Sequence, residues 1–420
     1  MKTYSFTALG CKVNQYEIRT IAAQLQEYGL RMVPFGEQTD LCIINTCCVT
    51  AESEAKSRKI IARARRNAPN AVLVITGCYA QIAKDCPAGV DILVPNTEKD
   101  HCVEKIVAYL SKRGVHLKKN LVPHFQYLTH DRTRATVKVQ DGCDSFCSYC
   151  IIPYARGPIV SKPIDEAEQE VRQLVKCGFK EVILTGIHLT RYGTDLDSST
   201  DLTALIKRIS TIEGLERIRL GSMEPGFLTQ DTVLQLADID KLCPHFHLSL
   251  QSGCEATLKR MNRKYTPQQY HDEIQLLRQY FPNCAITTDV MTGFPDETDE
   301  EFNNSIEFVK KCAFAKVHVF TYSVRPGTAA AQMKQIPESI RHARCRKMIQ
   351  TAEAGRKEFL ANAVGKTYTA LLESIHGDMI SGLTPNYISI SLPSNQGKPN
   401  ELVRVKIIAA NADGCIAQRI

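Results

Sequence analysis

The sequence predicts an α/β protein with an N-terminal parallel α/β domain, a central partial (β/α)6 barrel and a small C-terminal antiparallel β-barrel. Short apolar runs alternate with helical patterns over the first 110 residues, and a longer series of the same kind begins at Arg134. The tail instead shows short β-type runs separated by Gly, Pro and Asn. Alternating strands and helices are typical of parallel sheets, and runs of short strands are typical of small barrels. The predicted domains are 1–110, a basic linker 111–131, 132–363 for the barrel with a trailing helix, and 364–420.

The N-terminal domain is predicted from three apolar runs, each followed by a helical pattern. The strands are expected at 3–9, 40–46 and 71–76, and the clearest helices at 14–28 and 51–68. Short apolar runs that alternate with helical patterns indicate a parallel α/β sheet.

The central series contains six strand-then-helix units. Strands are predicted at 134–140, 180–186, 217–224, 245–253, 285–295 and 316–323, with helices at 164–177, 201–213, 229–238, 266–280 and 299–312. Six units suggest an open relative of the eight-stranded β/α barrel, and a doubly wound open sheet is the competing topology. A long helix over 337–363 and the β-rich tail follow.

Composition narrows the class of protein. The chain has 420 residues, 44% of them hydrophobic, and a formal net charge of +7, which is compatible with a nucleic-acid partner without being diagnostic. No apolar run is long enough for a membrane span, and the start "MKTYSFTALG" lacks the apolar core of a signal peptide, so a cytoplasmic protein without a membrane partner is expected. Seventeen cysteines in such a protein indicate metal binding or redox chemistry.

Three cysteines crowd into the stretch "DGCDSFCSYCIIPYARG". Cys143, Cys147 and Cys150 have the spacing C-x3-C-x2-C and directly follow the first predicted barrel strand, at the mouth where β/α barrels carry their chemistry. A closed zinc site needs four ligands, and bacterial ferredoxins space their cysteines differently. Three thiolates can hold a 4Fe–4S cluster and leave one iron open, so the loop is predicted to bind a cluster that accepts a further ligand.

A second set of cysteines shares one position relative to the N-terminal strands. Cys11, Cys47 and Cys78 each lie just past a predicted parallel strand, so all three should meet at one edge of the sheet, where open α/β folds bind ligands. Cys48 is the rival at the middle position, but only Cys47 keeps the same offset from its strand end.

The three-cysteine loop, with the aromatic Tyr149 before its last cysteine, resembles the loop of the radical S-adenosylmethionine (SAM) enzymes. In that superfamily the open iron binds the methionine moiety of SAM, and an electron from the cluster cleaves the sulfonium to a 5′-deoxyadenosyl radical. The wider match is to the methylthiotransferase family, and it rests on the segments "GCKVNQYE", "NTCCVT", "GCYAQ", "LSLQSGCEATLKRMNRKYT", "TDVMTGFPDET" and "YSVRPGTAA".

The resemblance covers nearly the whole chain and implies two 4Fe–4S clusters and a SAM cofactor. It implies an N-terminal methylthiotransferase domain whose auxiliary cluster is held by Cys11, Cys47 and Cys78. It also implies a radical SAM barrel whose cluster is held by Cys143, Cys147 and Cys150, and a C-terminal TRAM-like barrel. One departure is Asp296, which stands where the family usually has Gly.

Within the family, "ALGCKVNQYE" is similar to the branch that modifies tRNA at N6-threonylcarbamoyladenosine, next to the anticodon (position 37). The implied reaction converts this nucleoside into its 2-methylthio derivative. The alternatives are isopentenyladenosine tRNA, a ribosomal-protein side chain, or a non-catalytic iron–sulfur or RNA-binding protein. The expected partners are the tRNA anticodon stem-loop and an electron donor of the flavodoxin or ferredoxin type; the sulfur donor is not indicated. The scheme dictates no general base, so no catalytic side chain is predicted.

The SAM pocket is predicted to lie at the later strand ends of the barrel, where glycine permits close backbone approach and polar side chains could hold the amino acid or ribose. The candidates are Gly186, Ser222, Glu224, Gln251, Ser252, Asp289 and Gly293. Basic segments that could contact phosphate include the helix face of Lys56, Lys59, Arg63 and Arg66, and a later cluster containing Arg341 and Arg344.

Overall fold

The computed structural model describes residues 2–83, 85–119, 133–197 and 200–420, so the predicted linker from residue 120 onward lies outside the described residues. The described residues form two compact units. Unit 1 comprises the described residues within 1–130, 141–160 and 323–328, and unit 2 comprises those within 131–140, 161–322 and 329–420. The three-cysteine loop therefore folds in the same unit as the N-terminal sheet.

The described part of unit 1 contains a five-stranded parallel sheet with the strand order β2-β1-β3-β4-β5. The central strands β3 and β4 are buried along their whole length, as their continuous apolar sequence predicts. The strands are β1 (Thr3–Ala8), β2 (Arg31–Met32), β3 (Leu41–Thr46), β4 (Val72–Gly77) and β5 (Ile92–Leu93).

The helices of unit 1 begin close to the ends of these strands. A capping box between Thr50 and Ser53 starts the second helix, and the third begins at Cys78 immediately after β4. The helices are α1 (Lys12–Gln26), α2 (Ala51–Asn67), α3 (Cys78–Ile82), α4 (Cys102–Lys112) and, after the three-cysteine loop, α5 (Ile152–Arg156).

The barrel strands of unit 2 are parallel and follow one another in chain order, which confirms the predicted six β/α units. These strands are β6 (Arg134–Lys138), β9 (Glu181–Thr185), β10 (Arg217–Leu220), β11 (Ser222–Met223), β12 (His245–Leu248), β13 (Ala285–Thr292) and β14 (Lys316–Thr321). The short strands β7 (Gln140–Asp141) and β8 (Val160–Ser161) form a separate two-stranded sheet. The third predicted strand is divided at Gly221 into β10 and β11, and a Cβ at Gly221 would lie only 3.1 Å from the Leu184 carbonyl oxygen, so glycine suits this position.

The helices between these strands lie near their predicted positions. Asp201, Thr229, Thr266 and Thr298 each cap a helix by accepting a backbone hydrogen bond, which explains where those helices start. The helices are α6 (Ile164–Lys176), α7 (Leu202–Ser210), α8 (Gln230–Ala237), α9 (Glu255–Arg260), α10 (Pro267–Tyr280), α11 (Asp299–Cys312) and α12 (Glu338–Ala361). Among the described residues, no helix is long and apolar enough to cross a membrane.

The tail forms a closed five-stranded barrel of order β15-β16-β17-β19-β18, as predicted. Most of its pairs are antiparallel, but β17 and β19 pair in parallel. Its core also includes Leu360 and Ala363 from the end of the α12 segment. The strands are β15 (Thr367–His376), β16 (Met379–Leu383), β17 (Ser389–Pro393), β18 (Leu402–Ala410) and β19 (Cys415–Arg419).

A buried arginine pair ties this tail to the barrel strands of unit 2. Arg219 is fully buried, contacts the Glu181 carboxylate at 2.7 Å and donates to the Pro385 carbonyl oxygen at 2.8 Å. Arg217 donates to the carbonyl oxygens of Leu383 and Thr369. Because both guanidinium groups take their acceptors from the tail, the C-terminal barrel is part of the packing of unit 2 rather than a loosely tethered module.

Glu273 on α10 is a buried carboxylic acid with a pH-dependent role in unit 2. Its carboxylate accepts a hydrogen bond from the Gly226 backbone N–H at 2.7 Å, and burial raises its pKa to about 7, against this bond. Because folding raises the pKa of Glu273, its contribution to the free energy of unfolding is fully present below the unfolded pKa of about 4.3. This contribution is lost as the pH rises through about 7.

Raising the pH from about 5 to about 8 is therefore expected to cost the folded protein up to about 3 kcal/mol through Glu273. In Glu273→Gln, which stays neutral, this part of the pH dependence should disappear. Thermal unfolding of both proteins at the two pH values measures it, and Glu216→Gln, at an exposed position, is the control. Identical pH dependence in wild type and Glu273→Gln would contradict the assignment.

Candidate functional site

The ends of β1, β3 and β4 bring the predicted auxiliary-cluster cysteines to one edge of the sheet. Gly10 has φ +89°, and a Cβ there would lie only 2.7 Å from the Cys47 Sγ, so glycine lets this thiol pack against the segment that carries Cys11. The Cys11 residue has exposed surface, yet its thiol is crowded, and desolvation raises its pKa despite the nearby positive charge of Arg156. The charge of Cys78 also raises it.

Cys48 and Cys78 form a second close pair. Both are buried, and they pack with Ile151 and Ala155 from the segment that follows the three-cysteine loop. A hydrogen bond from the Cys48 thiol lowers the pKa of Cys78 to about 6, against burial and with help from the Arg156 charge. Cys47 contacts the Gly10 side of the edge and Cys48 the Cys78 side, so the choice of Cys47 as the middle ligand stays a prediction.

Arg156 lies at the centre of a buried polar network in unit 1. Its Nε donates to the Cys78 Sγ at 3.3 Å. Its Nη1 donates to Glu17 at 3.0 Å and Asp141 at 2.8 Å, and its Nη2 donates to Asn14 at 2.5 Å and again to Glu17 at 3.2 Å. A guanidinium has five N–H donors, so every one of them has an acceptor.

Two neighbours complete this network. Lys99 forms ion pairs with Asp141 and with Glu17, the latter at 3.2 Å. Asn96 donates to the Ala155 carbonyl oxygen at 2.8 Å and lies 3.7 Å from the Cys78 Sγ. Burial opposes the charge of Arg156, but Glu17, Cys78 and Asp141 together raise its pKa well above the ordinary value. The guanidinium is therefore a permanent positive charge beside Cys78.

The three-cysteine loop turns back on itself. Gly142 has φ +72°, and a Cβ there would collide with the Pro158 carbonyl oxygen, so the turn requires glycine. The Cys143 backbone N–H donates to the Gly157 carbonyl oxygen at 3.1 Å, and the Cys150 N–H donates to that of Cys147 at 2.9 Å. The cysteines themselves, Cys143, Cys147 and Cys150, are all partly exposed.

The residues present fit iron–sulfur clusters. None of the described cysteines forms a disulfide, although Cys48 and Cys78 are in contact. Thiolates are the ligands that iron–sulfur clusters take, and the anionic form of Cys78 is favoured by its hydrogen bonds and by a buried cation. Three partly exposed thiols on a tightly turned loop likewise suit a cluster with one accessible iron.

Gln251 is the most distinctive of the SAM-pocket candidates in unit 2. It adopts a left-handed φ of 64°, and its backbone joins β13 by donating to Asp289 and accepting from Met291, both at 2.8 Å. Its side chain is buried, and the Oε1 atom has no hydrogen-bond partner among the described residues. Strained backbone and an unsatisfied buried oxygen are costly, and they are typical of a position that binds a ligand.

The other polar candidates have partners of their own. Ser252 is fully buried, and its hydroxyl accepts from the Cys254 N–H at 3.2 Å. Glu224 forms an ion pair with the buried Arg263, and Asp289 lies 3.3 Å from His247 Nε2. The remaining one, Ser222, is exposed. Their roles toward SAM stay predictions.

The glycine candidates are required by packing. A Cβ at Gly186 would lie 2.6 Å from the Gln140 Oε1, and one at Gly293, which has φ +68°, would lie 2.3 Å from the Arg341 Cγ. Asp296 has φ 60°, a left-handed conformation that explains why glycine is usual there and why aspartate, which tolerates it better than most residues, replaces it.

The sequence patterns do not predict the three network residues Asn14, Glu17 and Arg156 as part of the site. Asn14 and Glu17 lie within "GCKVNQYE", and Arg156 lies near the end of "DGCDSFCSYCIIPYARG", so all three belong to the segments that carry the family resemblance. The sequence shows that polar and charged residues stand at these positions in the motifs. It does not show that their side chains contact one another in the folded protein. Of the basic segments, the α2 residues Lys56, Lys59, Arg63 and Arg66 are exposed. Arg344 is instead buried against Glu297 at 2.8 Å and is structural.

Comparisons with known proteins agree with this organisation. Residues 137–309 match the model of the radical SAM superfamily, and residues 3–90 match that of the uncharacterized protein family UPF0004. The solved radical S-adenosylmethionine methyltransferase TsrM from Kitasatospora setae, with cobalamin and a 4Fe–4S cluster bound, aligns with a TM-score of 0.56 at 14% identity. The alignment covers 79% of this chain and 77% of that one, and this likeness concerns the fold.

Curated relatives cover almost the full chain. The threonylcarbamoyladenosine tRNA methylthiotransferase MtaB of Bacillus subtilis is 37% identical over 98% of this chain and 94% of its own length. The protein of the same name from Thermotoga maritima is 36% identical over 97% and 95%. The tRNA-2-methylthio-N(6)-dimethylallyladenosine synthase of Clostridium botulinum is 31% identical over 98% and 95%. The chain belongs to the family of radical SAM methylthiotransferases.

Proposed function

We propose that this enzyme converts N6-threonylcarbamoyladenosine, next to the anticodon of tRNA, into its 2-methylthio derivative, using SAM and two 4Fe–4S clusters. The assignment of the substrate rests on sequence identity over nearly the full chain. The identity is 37% and 36% to the two threonylcarbamoyladenosine enzymes and 31% to the dimethylallyladenosine enzyme. The segment "ALGCKVNQYE", whose residues Asn14 and Glu17 line the buried network, supports the same branch.

In this proposal each of the two sets of cysteine thiols binds one cluster. Cys143, Cys147 and Cys150 would hold the radical-generating cluster, and Cys11, Cys47 and Cys78 would hold the auxiliary one. When bound, the first cluster supplies the electron that cleaves SAM, and the second carries the sulfur that is transferred. The protein's own part is to orient these groups: the turn at Gly142 shapes the loop, and Gly10 allows the approach of Cys47.

Charge and shape support an RNA substrate. The exposed face of α2 carries Lys56, Lys59, Arg63 and Arg66, opposite a buried face that includes Ile61 and Ala64. Such a face can neutralise phosphates, which makes binding salt-dependent. An anticodon loop offers unstacked bases, the usual target of sequence-specific RNA recognition.

The proposal is tested by incubating the reconstituted enzyme with SAM, a reductant and a tRNA that already carries threonylcarbamoyl at the adenosine 3′ of the anticodon. Nucleoside mass spectrometry should show the 2-methylthio product. The same transcript without the group is the matched control and should react poorly, because the modification is part of the recognised surface. Preferential reaction of isopentenyladenosine tRNA would move the enzyme to the other branch, and reaction of a ribosomal protein alone would refute an RNA substrate.

A further inference from the structure

We infer that Arg156 is a positioning residue for the auxiliary cluster: it holds the Cys78 sulfur in place and raises the reduction potential of the cluster that Cys78 binds. The inference rests on the proposed two-cluster function and extends it to a residue outside both cysteine sets. It starts from the contact between the Arg156 Nε and the Cys78 Sγ at 3.3 Å.

The Arg156 guanidinium is held in a single orientation. The Arg156 side chain has no exposed surface, and its five donors all point at acceptors from different parts of unit 1: Cys78 at the end of β4, Asn14 and Glu17 on α1, and Asp141 before the three-cysteine loop. A planar fork held this way has one orientation. The Cys78 sulfur therefore meets a fixed donor.

The charge of Arg156 balances the buried carboxylates around Cys78. Two cations, Arg156 and Lys99, face two carboxylates, Glu17 and Asp141, so these four charges cancel. Removing Arg156 would leave an excess negative charge in a buried site beside the thiolates of the cluster. Net charge and hydrogen bonds to the sulfurs are the factors that set iron–sulfur potentials. A nearby cation and an N–H donor stabilise the reduced, more negative state, so their loss should lower the potential.

The segment that carries Arg156 follows the three-cysteine loop directly. Arg156 lies six residues after Cys150, at the end of α5. Ala155, its neighbour, accepts a hydrogen bond from Asn96, whose side chain also approaches Cys78. The residue that orients Cys78 is thus supplied by the segment that follows the three-cysteine loop. The two cysteine sets share a structural element inside unit 1.

The test uses the full chain carrying Cys143→Ala, Cys147→Ala and Cys150→Ala, so that only the auxiliary cluster remains. Arg156→Gln is added to this parent, and the cluster is titrated with dithionite and followed by electron paramagnetic resonance. At the potential where the parent is half reduced, the ratio of reduced to oxidised cluster should fall at least tenfold, which corresponds to about 59 mV for one electron. Arg156→Lys, which keeps the charge but not the fork, should give a smaller shift.

Arg219→Gln in the same parent is the matched control, because Arg219 is equally buried but contacts Glu181 and carbonyl oxygens of unit 2. It should leave the potential unchanged. An unchanged potential in Arg156→Gln at full iron content, or equal shifts in Arg156→Gln and Arg219→Gln, would overturn the inference.

Iron content separates the remaining outcomes. If Arg156→Gln loses iron while Arg219→Gln keeps it, the positioning role is supported, and Arg156→Lys is titrated in its place. Because lysine keeps the charge, its potential should lie at or slightly below the parent's, and a potential above the parent's would refute the effect on the potential. A parent that binds no cluster would refute the auxiliary-cluster assignment and the inference with it. A parent with a normal cluster and no effect of Arg156 refutes the inference alone.

Discussion

Cys150→Ala is expected to abolish reductive cleavage of SAM, whereas Cys11→Ala should still release 5′-deoxyadenosine and make no methylthiolated tRNA. The physical reason is that a three-thiolate cluster has no spare protein ligand, so losing one thiolate removes the open-iron site where SAM binds. Cys150 is one of three thiols on the turned loop that begins at Gly142, and Cys11 is part of the separate edge where Gly10 meets Cys47.

Quantifying 5′-deoxyadenosine and the modified nucleoside in the same reactions measures this division of labour. Two clusters correspond to about eight irons per chain after anaerobic reconstitution, and removal of one set should leave about four. Cleavage that survives in Cys150→Ala, or full product formation in Cys11→Ala, would refute it.

Cys47 and Cys48 provide a matched pair of controls for the same prediction. Cys47→Ala should behave like Cys11→Ala, while Cys48→Ala should keep both clusters and product formation. Cys48 is buried against Cys78, so Cys48→Ala removes a contact and a hydrogen bond of Cys78 but none of the proposed ligands. Loss of the auxiliary iron in Cys48→Ala with retention in Cys47→Ala would exchange their roles.

Deleting residues 366–420 is expected to destabilise unit 2 strongly and so to abolish SAM cleavage as well as tRNA binding. From the sequence alone this deletion is predicted to spare cleavage, because neither cysteine set lies in the tail. The structure changes that expectation: Arg217 and Arg219 take carbonyl acceptors from residues of the tail, and Arg134 contacts Glu373 at 2.7 Å. Without the tail, three arginines would remain around one carboxylate, that of Glu181.

The contribution of this contact can be isolated in the full chain. Arg219→Met removes the buried guanidinium while keeping the tail, and the loss of its charged hydrogen bonds should lower the free energy of unfolding by about 2–3 kcal/mol. Thermal unfolding and 5′-deoxyadenosine formation are measured for both variants. A truncated protein that unfolds at the wild-type temperature and still cleaves SAM would show that the tail is an independent module.

Element positions were predictable where local patterns determine them. The continuous apolar runs of β3 and β4 and the capping residues Thr266 and Thr298 place their elements within one or two residues of the prediction. The strand predicted at 245–253 instead ends at Leu248, because the chain then turns to reach the left-handed Gln251, which joins β13 through its backbone. Pairing with a distant strand decided that end, and a local pattern does not contain it.

By itself, the sequence determined the three-part α/β organisation and the positions of Cys11, Cys47 and Cys78 just past three strand ends, because strand periodicity and strand-end offsets are properties of neighbouring residues. The assignment of the two cysteine sets to clusters stays a prediction. Only the tertiary structure decided that Arg156 meets Cys78, Glu17 and Asn14, and that Arg219 anchors the C-terminal barrel. These residues are separated by up to 166 positions, as Arg219 is from Pro385. A buried charge must find its partners wherever the fold brings them, so the identity of those partners follows from long-range packing.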